Sequence, residues 1–532
     1  MTPQPLMTDA VARLRQWAEE RPDGVLLATR GRTYTYADTL RRAAAVAAAL
    51  RAAGTTRGAR VALCLEEYDQ FFVSMLGVWL AGGVAVPLNT SLPVADVDWL
   101  LGKAAPAYLV LPADDASATG AATAKPAPRR LVVSTDDAGM VSGLRGLAAP
   151  ADAGAAGTLG DAARGAADST PVDLAKLEPV REDELAMIMF TSGTTGLPKG
   201  VCQTLRAISS NAGHVSRTLG LQGDDRIFIN TPPYFTSGIC HFLTLLAAAG
   251  GVAGQLGFYF GAGLLDEMQA QGCTGFGGAP AHLVRVVEPL EEPCAHSFRF
   301  WVSSGDHLPL PVIDKFRRVL PGVSLFNMYG LTEVSGRLCI LPPAELDVRV
   351  GAVGRPIGDM RVVARRGDGA EAAPGEVGEL FVTGSLLMQG YLDEPEITAR
   401  TLTGHGLRTG DFGRVDESGS VWIEGRKDDI IKRGGEKVSI IHVQQALQGL
   451  ERFADVAVLA APDDILGHVP VAFVVPLEPD GFKASRLLRE LRGMLPSTSL
   501  PSRIIAVQAI PRTGSGKAIK AELQALLAEE LG

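Results

Sequence analysis

The sequence predicts an α/β protein. A large N-terminal domain of two helix-covered parallel sheets and a smaller β-rich subdomain precedes a small C-terminal α+β domain. Patterns typical of strands and helices alternate along most of the 532 residues. Such alternation is typical of parallel sheets covered by helices. A chain of this length also exceeds what one hydrophobic core usually holds, so more than one domain is expected.

The first unit spans residues 31–89. It predicts a strand at 33–36, an alanine-rich helix that ends near Gly54, a strand at 60–65, a helix that ends near Leu80 and a strand at 83–88. The apolar spacing changes between the strand and helix periods from one segment to the next. This unit is therefore expected to form the first parallel sheet with its covering helices.

The following segment, from about 112 to 174, is rich in Ala, Gly, Asp and Thr. We expect a surface insertion there, with one short strand at 131–134. A second α/β pattern runs from 185 to about 342, and strands at 375–383 and 420–424 indicate the β-rich subdomain. The last hundred residues predict a helix from His442, strands at 456–459 and 471–475, and a helix from Ala484.

One loop carries most of the chemical information. A short apolar run at 185–190 predicts a buried strand, and the loop Thr191-Ser-Gly-Thr-Thr-Gly-Leu-Pro-Lys-Gly200 follows it directly. Glycines let backbone N–H groups approach an anion, hydroxyls add donors, and Lys199 adds a positive charge. The Walker spacing G-x-x-x-x-G-K-[ST] is absent. We therefore predict a polyphosphate-binding loop of another kind and nucleotide-dependent chemistry.

Composition excludes several classes of partner. The net charge is −9 and no block of Lys and Arg is present, which argues against nucleic-acid binding. The six cysteines form no C-x-x-C pair, so neither a zinc site nor a disulfide framework is indicated. The N-terminus shows no secretory signal, and the most apolar stretch, 239–258, is interrupted by His241 and Gln255. We expect a cytoplasmic protein without a membrane span, either a monomer or a homodimer.

Three further motifs follow the loop, and together the four resemble those of the adenylate-forming enzymes: acyl-CoA synthetases, nonribosomal adenylation domains and luciferases. The three are Tyr329-Gly-Leu-Thr-Glu333, then Arg408-Thr-Gly-Asp411 with Gly425-Arg-Lys-Asp-Asp429, and finally Pro511-Arg-Thr-Gly-Ser-Gly-Lys517. The resemblance extends from about Gly31 to about Leu523 and implies ATP and Mg²⁺ as cofactors. It also implies a mobile C-terminal lid, with domains at 1–427 and 428–532 and a hinge at Asp428.

The resemblance also implies roles for individual residues. Lys517 and Thr332 would be catalytic, and Glu333 would be both a catalytic residue and the Mg²⁺ ligand. The expected nucleotide-binding residues are Thr191, Ser192, Gly193, Thr194, Thr195, Lys199, Gly305, Asp306, Asn327, Tyr329, Gly330, Asp411 and Arg426. The expected acyl-pocket residues are Tyr234, Phe235, Thr236, Ile239, Gly278, Ser304 and Val334.

These roles agree with the chemistry of activating a carboxylate. Its oxygen must attack the α-phosphorus of ATP, and charge repulsion opposes that approach, so positive charge and positioning should supply the catalysis. The Lys517 ammonium would bridge the two reactants. A carboxylate such as Glu333 is a suitable hard ligand for Mg²⁺. Asp411 could accept hydrogen bonds from both ribose hydroxyls.

Departures from the family pattern bear on the substrate and the acceptor. Thr236 stands where amino-acid-activating relatives place an Asp, so an α-amino acid substrate is disfavoured. His442 and His468 stand where relatives often have Glu, and structural or solvated roles are favoured for both. Arg337 could meet a second polar group on the substrate or cap a helix, and the helix cap is favoured.

The leading prediction is an acyl-CoA ligase, which converts a non-amino-acid carboxylic acid to acyl-AMP and then to a CoA thioester. One alternative is loading of a separate phosphopantetheinyl carrier protein. A non-catalytic ATP-binding sensor is a further alternative, which intact Lys517, Glu333 and Asp411 disfavour. A luciferase-type oxygenase needs the same adenylation residues, so the motifs leave it open. Under the leading prediction, CoA is the expected co-substrate.

Overall fold

The structure of the protein is a computed structural model. It describes residues 6–29, 31–112, 128–136, 140–146, 173–191, 198–254, 262–306, 308–426, 429–433, 436–450, 452–463, 466–512 and 518–531. The helices are α1 Ala10–Glu20, α2 Tyr36–Ala52, α3 Tyr68–Leu80, α4 Val94–Ala104, α5 Leu205–Leu219, α6 Thr236–Ala248, α7 Ala262–Ala270, α8 Pro280–Val287, α9 Leu310–Val319, α10 Pro395–Thr401, α11 Ile440–Gln448, α12 Ala484–Leu491 and α13 Lys520–Leu531.

The strands follow the same chain order. They are β1 Val25–Thr29, β2 Arg32–Thr35, β3 Arg60–Leu63, β4 Val84–Pro87, β5 Tyr108–Leu111, β6 Arg129–Thr135, β7 Val141–Gly146, β8 Leu185–Thr191, β9 Lys199–Thr204, β10 Arg226–Ile229, β11 Gly251–Gly254, β12 Gly275–Gly278, β13 Phe300–Ser304, β14 Ser324–Tyr329, β15 Cys339–Leu341, β16 Ala352–Pro356, β17 Arg361–Arg365, β18 Gly378–Thr383, β19 Gly390–Tyr391, β20 Leu402–Thr403, β21 Gly406–Val415, β22 Val421–Arg426, β23 Ile430–Arg433, β24 Glu436–Ser439, β25 Phe453–Asp463, β26 Gly467–Pro476 and β27 Arg503–Ala506.

Two large sheets form the N-terminal part. One has the order β19-β9-β8-β4-β3-β5-β6-β7, with β8, β4, β3, β5 and β6 parallel. The other has the order β17-β18-β21-β22-β16-β15-β14-β13-β12-β10-β11-β1-β2, with β20 beside β21. Helix α3 is buried along its whole length, and its Phe72 stacks on Phe242 of α6 with ring centroids 4.2 Å apart. The apolar helices thus form one core between the sheets.

The β-rich segment continues the second sheet. Strands β1, β11, β10, β12, β13 and β14 run parallel, and β14, β15, β16 and β22 then pair antiparallel. The C-terminal part forms a third sheet of order β24-β23-β26-β25 with β27 beside β26. One face packs on α11 and α12, and the other packs on α13.

The predicted fold class is confirmed, and several predicted elements agree closely with the observed ones. The alanine-rich helix is α2, the helix that ends at Leu80 is α3, and the helix from 484 is α12. Helix α11 begins at Ile440, before the predicted start, because the Ser439 hydroxyl caps it by accepting a bond from the His442 amide. The six cysteines are free thiols, as expected.

A surface insertion was expected from about 112 to 174, with one short strand at 131–134. In the structure, the described residues 128–136 and 140–146 instead extend the first sheet. Strand β6 runs parallel to β5, and β7 pairs antiparallel with β6 at the edge of the first sheet. Leu131, Val132 and Val133 are buried, so apolar burial holds these strands in the domain core.

No helix formed by the described residues is long and apolar enough to cross a membrane.

Candidate functional site

The candidate site lies where parallel strands β13 and β14 end. Ser304 pairs with Met328 at the ends of these strands, which places Gly305 beside Tyr329 and Gly330. A Cβ at Gly330 would lie 1.8 Å from the carbonyl oxygen of Gly336, so only glycine allows the chain to fold back there. Side chains from several elements meet at this edge, the usual location of ligand sites in parallel sheets.

Asp411 is the centre of the polar cluster at this edge. It lies on β21 opposite Arg426 of β22, and only 4% of its surface is exposed. The Tyr329 hydroxyl donates a hydrogen bond to Oδ2, and Arg426 Nε donates to Oδ1 at 3.2 Å. Burial, and then the charge of Asp411, raise the pKa of Tyr329 well above its usual range, so the phenol stays a donor.

Asp411 accepts hydrogen bonds from Tyr329 and Arg426, and a carboxylate offers about four acceptor positions. Asp411 thus brings together side chains from motifs that are far apart in the sequence, and the nucleotide-binding roles of the three residues stay predictions. Asn327, at the end of β14, directs its Nδ2 to the carbonyl of Ala352 at 3.3 Å.

Glu333 and Thr332 lie in a short 3-10 turn directly after β14. The Tyr391 hydroxyl donates to Glu333 Oε1 at 2.9 Å, and no other described residue hydrogen-bonds the carboxylate oxygens of Glu333. The second oxygen is therefore available to a hard cation. The described residues contain no cluster of three or more His, Cys, Asp or Glu side chains, so phosphate oxygens and water would complete the coordination. Glu333 thus fits the Mg²⁺ ligand that the resemblance implies.

Tyr391 is a site residue that the sequence analysis missed. Its two-residue strand β19 pairs with β9, which brings the Lys199 Nζ atom to 5.4 Å from the centroid of the Tyr391 ring. Burial, and then Glu333, raise the pKa of the Tyr391 hydroxyl. No sequence pattern indicated this residue, because a two-residue strand has no periodicity. Tyr391 links the end of the phosphate loop to Glu333.

A cavity of about 190 Å³ lies beside the turn. Its wall contains Phe235 and Thr236 at the start of α6, and Thr236 Oγ1 lies 3.1 Å from Thr332 Oγ1. The remaining lining residues are Thr231, Ser237, His241, Gly278, Ala279, His282, Ser304, Gly305, Gly330, Leu331, Thr332, Gly336 and Arg337. The described lining residues include no Asp or Glu.

The expected pocket residues divide into two groups. Phe235, Thr236, Gly278 and Ser304 line the cavity. Tyr234, Ile239 and Val334 lie instead in the main hydrophobic core, and the Tyr234 hydroxyl lies 3.2 Å from Ser91 Oγ. Neighbouring residues in a helix or a strand point in different directions, so proximity to Phe235 or Thr236 in sequence did not place them at the cavity.

Arg337 departs from the favoured expectation. It caps no described helix, is 7% exposed and contributes to the cavity wall. Its NH2 atom lies 3.5 Å from Nε2 of His241, a residue the sequence analysis had noted only as an interruption of an apolar stretch. The sequence offered the weak signal of a histidine inside an apolar helix.

Several expected residues flank segments outside the described ranges. Thr191 and Lys199 pair across β8 and β9, at either end of the loop that would hold the phosphates. Ser192, Gly193, Thr194 and Thr195 lie outside the described residues, as do Asp428 and Lys517. Their roles stay predictions.

The C-terminal domain meets this edge of the N-terminal domain. Ser439 donates a hydrogen bond to the carbonyl of Glu424 at 2.6 Å, and the His442 imidazole pairs with the Glu424 carboxylate. That hydrogen bond raises the pKa of His442 and lowers the pKa of Glu424. Within the C-terminal domain, Lys520 Nζ donates to Asp429 Oδ1 at 2.7 Å. His442 therefore has a structural contact, in agreement with the expectation, and His468 lies on β26 opposite Pro462.

Comparison with known proteins agrees with this geometry. A family model described as AMP-binding enzyme matches residues 14–392, and one described as AMP-binding enzyme C-terminal domain matches residues 442–517. A feruloyl-CoA synthase from Amycolatopsis sp is 29% identical over 500 residues, which cover 93% of this chain and 94% of the relative.

One further sequence relative and one solved structure are also similar to this chain. A long-chain-fatty-acid–CoA ligase from Mycobacterium tuberculosis is 29% identical over 493 residues, 92% of each chain. The ATP-bound crystal structure of MatB from Rhodopseudomonas palustris superposes with a TM-score of 0.84 at 26% identity, covering 98% of this chain and 99% of that one.

Proposed function

The chain belongs to the AMP-binding enzyme family, and on this premise we propose that it is an acid–thiol ligase that forms acyl-CoA from a carboxylic acid, ATP and CoA. The observation that carries the proposal is the Asp411 cluster, whose Tyr329 directly precedes the turn that carries Thr332 and Glu333 and lines a cavity without a described carboxylate. Both curated relatives described above are CoA ligases by name, which favours CoA as the acceptor.

In the first half-reaction, a carboxylate oxygen of the acid forms a bond to the α-phosphorus of ATP, and the bond to pyrophosphate breaks. Asp411 binds the ribose hydroxyls through its carboxylate oxygens, and Tyr329 stacks on adenine. Thr332 and Thr236, whose hydroxyls lie 3.1 Å apart, orient the reacting carboxylate and the α-phosphate. Arg426 and Lys517 offset the repulsion between the two anions.

The loop between Thr191 and Lys199 would hold the phosphates. Mg²⁺ bound by Glu333 would neutralise phosphate charge. The contact between Tyr391 and Glu333 holds that carboxylate in one orientation, and Lys199 supplies a second positive charge on the same side. Pre-set positive charge of this kind lowers the barrier without reorganisation during the reaction.

In the second half-reaction, the CoA sulphur forms a bond to the acyl carbon and AMP leaves. Because adenylation would require Lys517 in the site, we propose that the domain from 428 to 532 moves about Asp428 to withdraw it. The division at 427/428 is supported by the two separate cores and by the limits of the two family models.

Pyrophosphate release by the purified protein tests this function. The assay supplies ATP, Mg²⁺ and a panel of carboxylic acids, first with CoA and then with a phosphopantetheinyl carrier protein. Acid-dependent release that yields acyl-CoA supports the ligase. Release that yields product only with the carrier protein favours the alternative acceptor. No release with any acid contradicts the proposal and favours a non-catalytic role.

A further inference from the structure

The cavity presents positive and hydrogen-bond-donating side chains without an acid to balance them. His241, His282 and Arg337 all line it, and its described wall contains no Asp or Glu. An apolar acyl chain requires none of these groups. The polar wall therefore indicates that the cavity binds more than the reacting carboxylate and a hydrocarbon.

Among these three side chains, Arg337 carries the positive charge. Only 7% of its surface is exposed, and no described carboxylate forms an ion pair with it. Arg42, buried to a similar degree at 6% exposure, pairs with Asp38 and Asp136. Burial lowers the pKa of Arg337, yet a guanidinium remains charged at neutral pH. A buried charge without a partner is unfavourable and attracts an anion.

The backbone holds Arg337 in a fixed place. Asn211 Nδ2 donates to the carbonyls of Arg337 at 2.6 Å and Val334 at 3.1 Å. The Arg337 amide in turn donates to Asn211 Oδ1 at 3.3 Å. Three bonds from one buried side chain fix the turn that carries the guanidinium. The site is therefore formed before a ligand binds.

His241 completes the deep end of the cavity. A Cβ at Gly277 would lie 2.5 Å from His241 Nε2, so the glycine in β12 makes room for the imidazole. Burial, and then the charge of Arg337, lower the pKa of His241 well below its usual range. The neutral ring offers one donor and one acceptor beside the guanidinium. An incoming carboxylate could accept bonds from both residues.

The distance from the reacting end sets the size of the ligand. Thr236 marks that end through its contact with Thr332, and His241 lies five positions further along α6. At about 1.5 Å per residue this is roughly 7.5 Å along the helix axis. A short carbon chain or a single ring spans this distance, and the cavity volume of about 190 Å³ is consistent with a compact acid.

We propose that the substrate is a dicarboxylic acid, whose second carboxylate binds Arg337 and His241 while the first is activated beside Thr332. This inference rests on the proposed ligase function. The spacer between the carboxylates is a short carbon chain or one aromatic ring. A monocarboxylic acid leaves the buried guanidinium without a carboxylate partner and is therefore the poorer substrate.

The first test measures kcat/KM for acid-dependent pyrophosphate release by the unmodified protein. Matched pairs of acids isolate the second carboxylate: glutarate with pentanoate, adipate with hexanoate, and isophthalate with 3-methylbenzoate. We expect the best diacid to exceed its partner by at least about tenfold, because a site built for a polar group discriminates against analogues that lack it. Equal or higher values for the monocarboxylates overturn the inference but leave the ligase function intact.

The second test uses Arg337→Met, which keeps length and removes charge. The ratio of diacid to monoacid kcat/KM should fall by about 100-fold, the usual scale for one partner of a buried charge pair. Turnover of the monoacid should persist. Arg226→Met is the matched control. Arg226 begins β10, whereas the cavity residue Thr231 follows the other end of that strand, and Arg226 donates to the carbonyl of Gln271. Its ratio should equal that of the unmodified protein.

Other outcomes also decide the inference. An unchanged ratio in Arg337→Met overturns it, and so does an equal fall in Arg226→Met. If Arg337→Met fails to fold, Arg337→Lys replaces it: the charge is kept, and a diacid preference reduced by about tenfold is expected because the bidentate fork is lost. Absence of pyrophosphate release with every acid overturns the ligase function and this inference together.

Discussion

Replacing Asp411 by Asn tests the ribose site. The substitution preserves shape but removes the charge that Arg426 and Tyr329 contact. Hydrogen bonds to a charged group contribute about 1.5–3 kcal/mol each, and the two expected ribose bonds would weaken together. A loss of about 3 kcal/mol corresponds to a fall of about 150-fold in kcat/KM for ATP. Because ribose contacts are made equally in ground and transition states, the change should appear in KM for ATP.

The assay is steady-state pyrophosphate release at varied ATP and saturating acid and CoA. Glu379→Gln is the matched control. Glu379 lies on β18 and forms an ion pair with Arg408, which lies on β21, the strand of Asp411. Neither residue lines the cavity. The control should keep KM for ATP within about twofold, since partly exposed pairs contribute little. Unchanged KM in Asp411→Asn, or an equal rise in the control, would refute the role of Asp411.

Three further substitutions test the remaining roles. Lys517→Ala should abolish adenylation but leave transfer from preformed acyl-adenylate largely intact, since only the first step needs its charge; full pyrophosphate exchange would contradict this. Glu333→Gln should lose Mg²⁺-dependent turnover because the amide holds the cation poorly, and an unchanged Mg²⁺ titration would place the metal elsewhere. Asp428→Pro fixes φ near about −65° and should lower thioester production at least about tenfold while acyl-adenylate still forms. Separate kinetics of the two half-reactions check it, and equal losses in both would exclude Asp428 as the hinge.

Local sequence patterns predicted the elements that form by local rules. Helices α2, α3 and α12 and strands β4 and β8 lie close to their expected positions, because apolar periodicity acts over a few residues. Edge strands were harder to predict. Strand β7 was not expected, and β19 is only two residues long, so both depend on pairing with distant partners. The composition of 112–174 favoured a surface insertion with one short strand at 131–134, whereas pairing with β5 and burial of Leu131 to Val133 make that strand part of the sheet, as β6.

The site shows the same division. The motifs around Asp411, Tyr329 and Arg426 could be identified by their resemblance to those of a known family, and the structure brings these three side chains together. Tyr391 could not be identified, because only the pairing of β19 with β9 places its hydroxyl beside Glu333.

The sequence by itself determined the fold class, the order of the elements and the nucleotide chemistry, since each depends on patterns within short segments. Only the tertiary structure decided what the cavity can bind. His241 and Arg337 are 96 positions apart, and their approach to 3.5 Å depends on the packing of α6 against the turn after β14. Burial then removes water from the guanidinium, and this converts an ordinary arginine into a determinant of substrate charge.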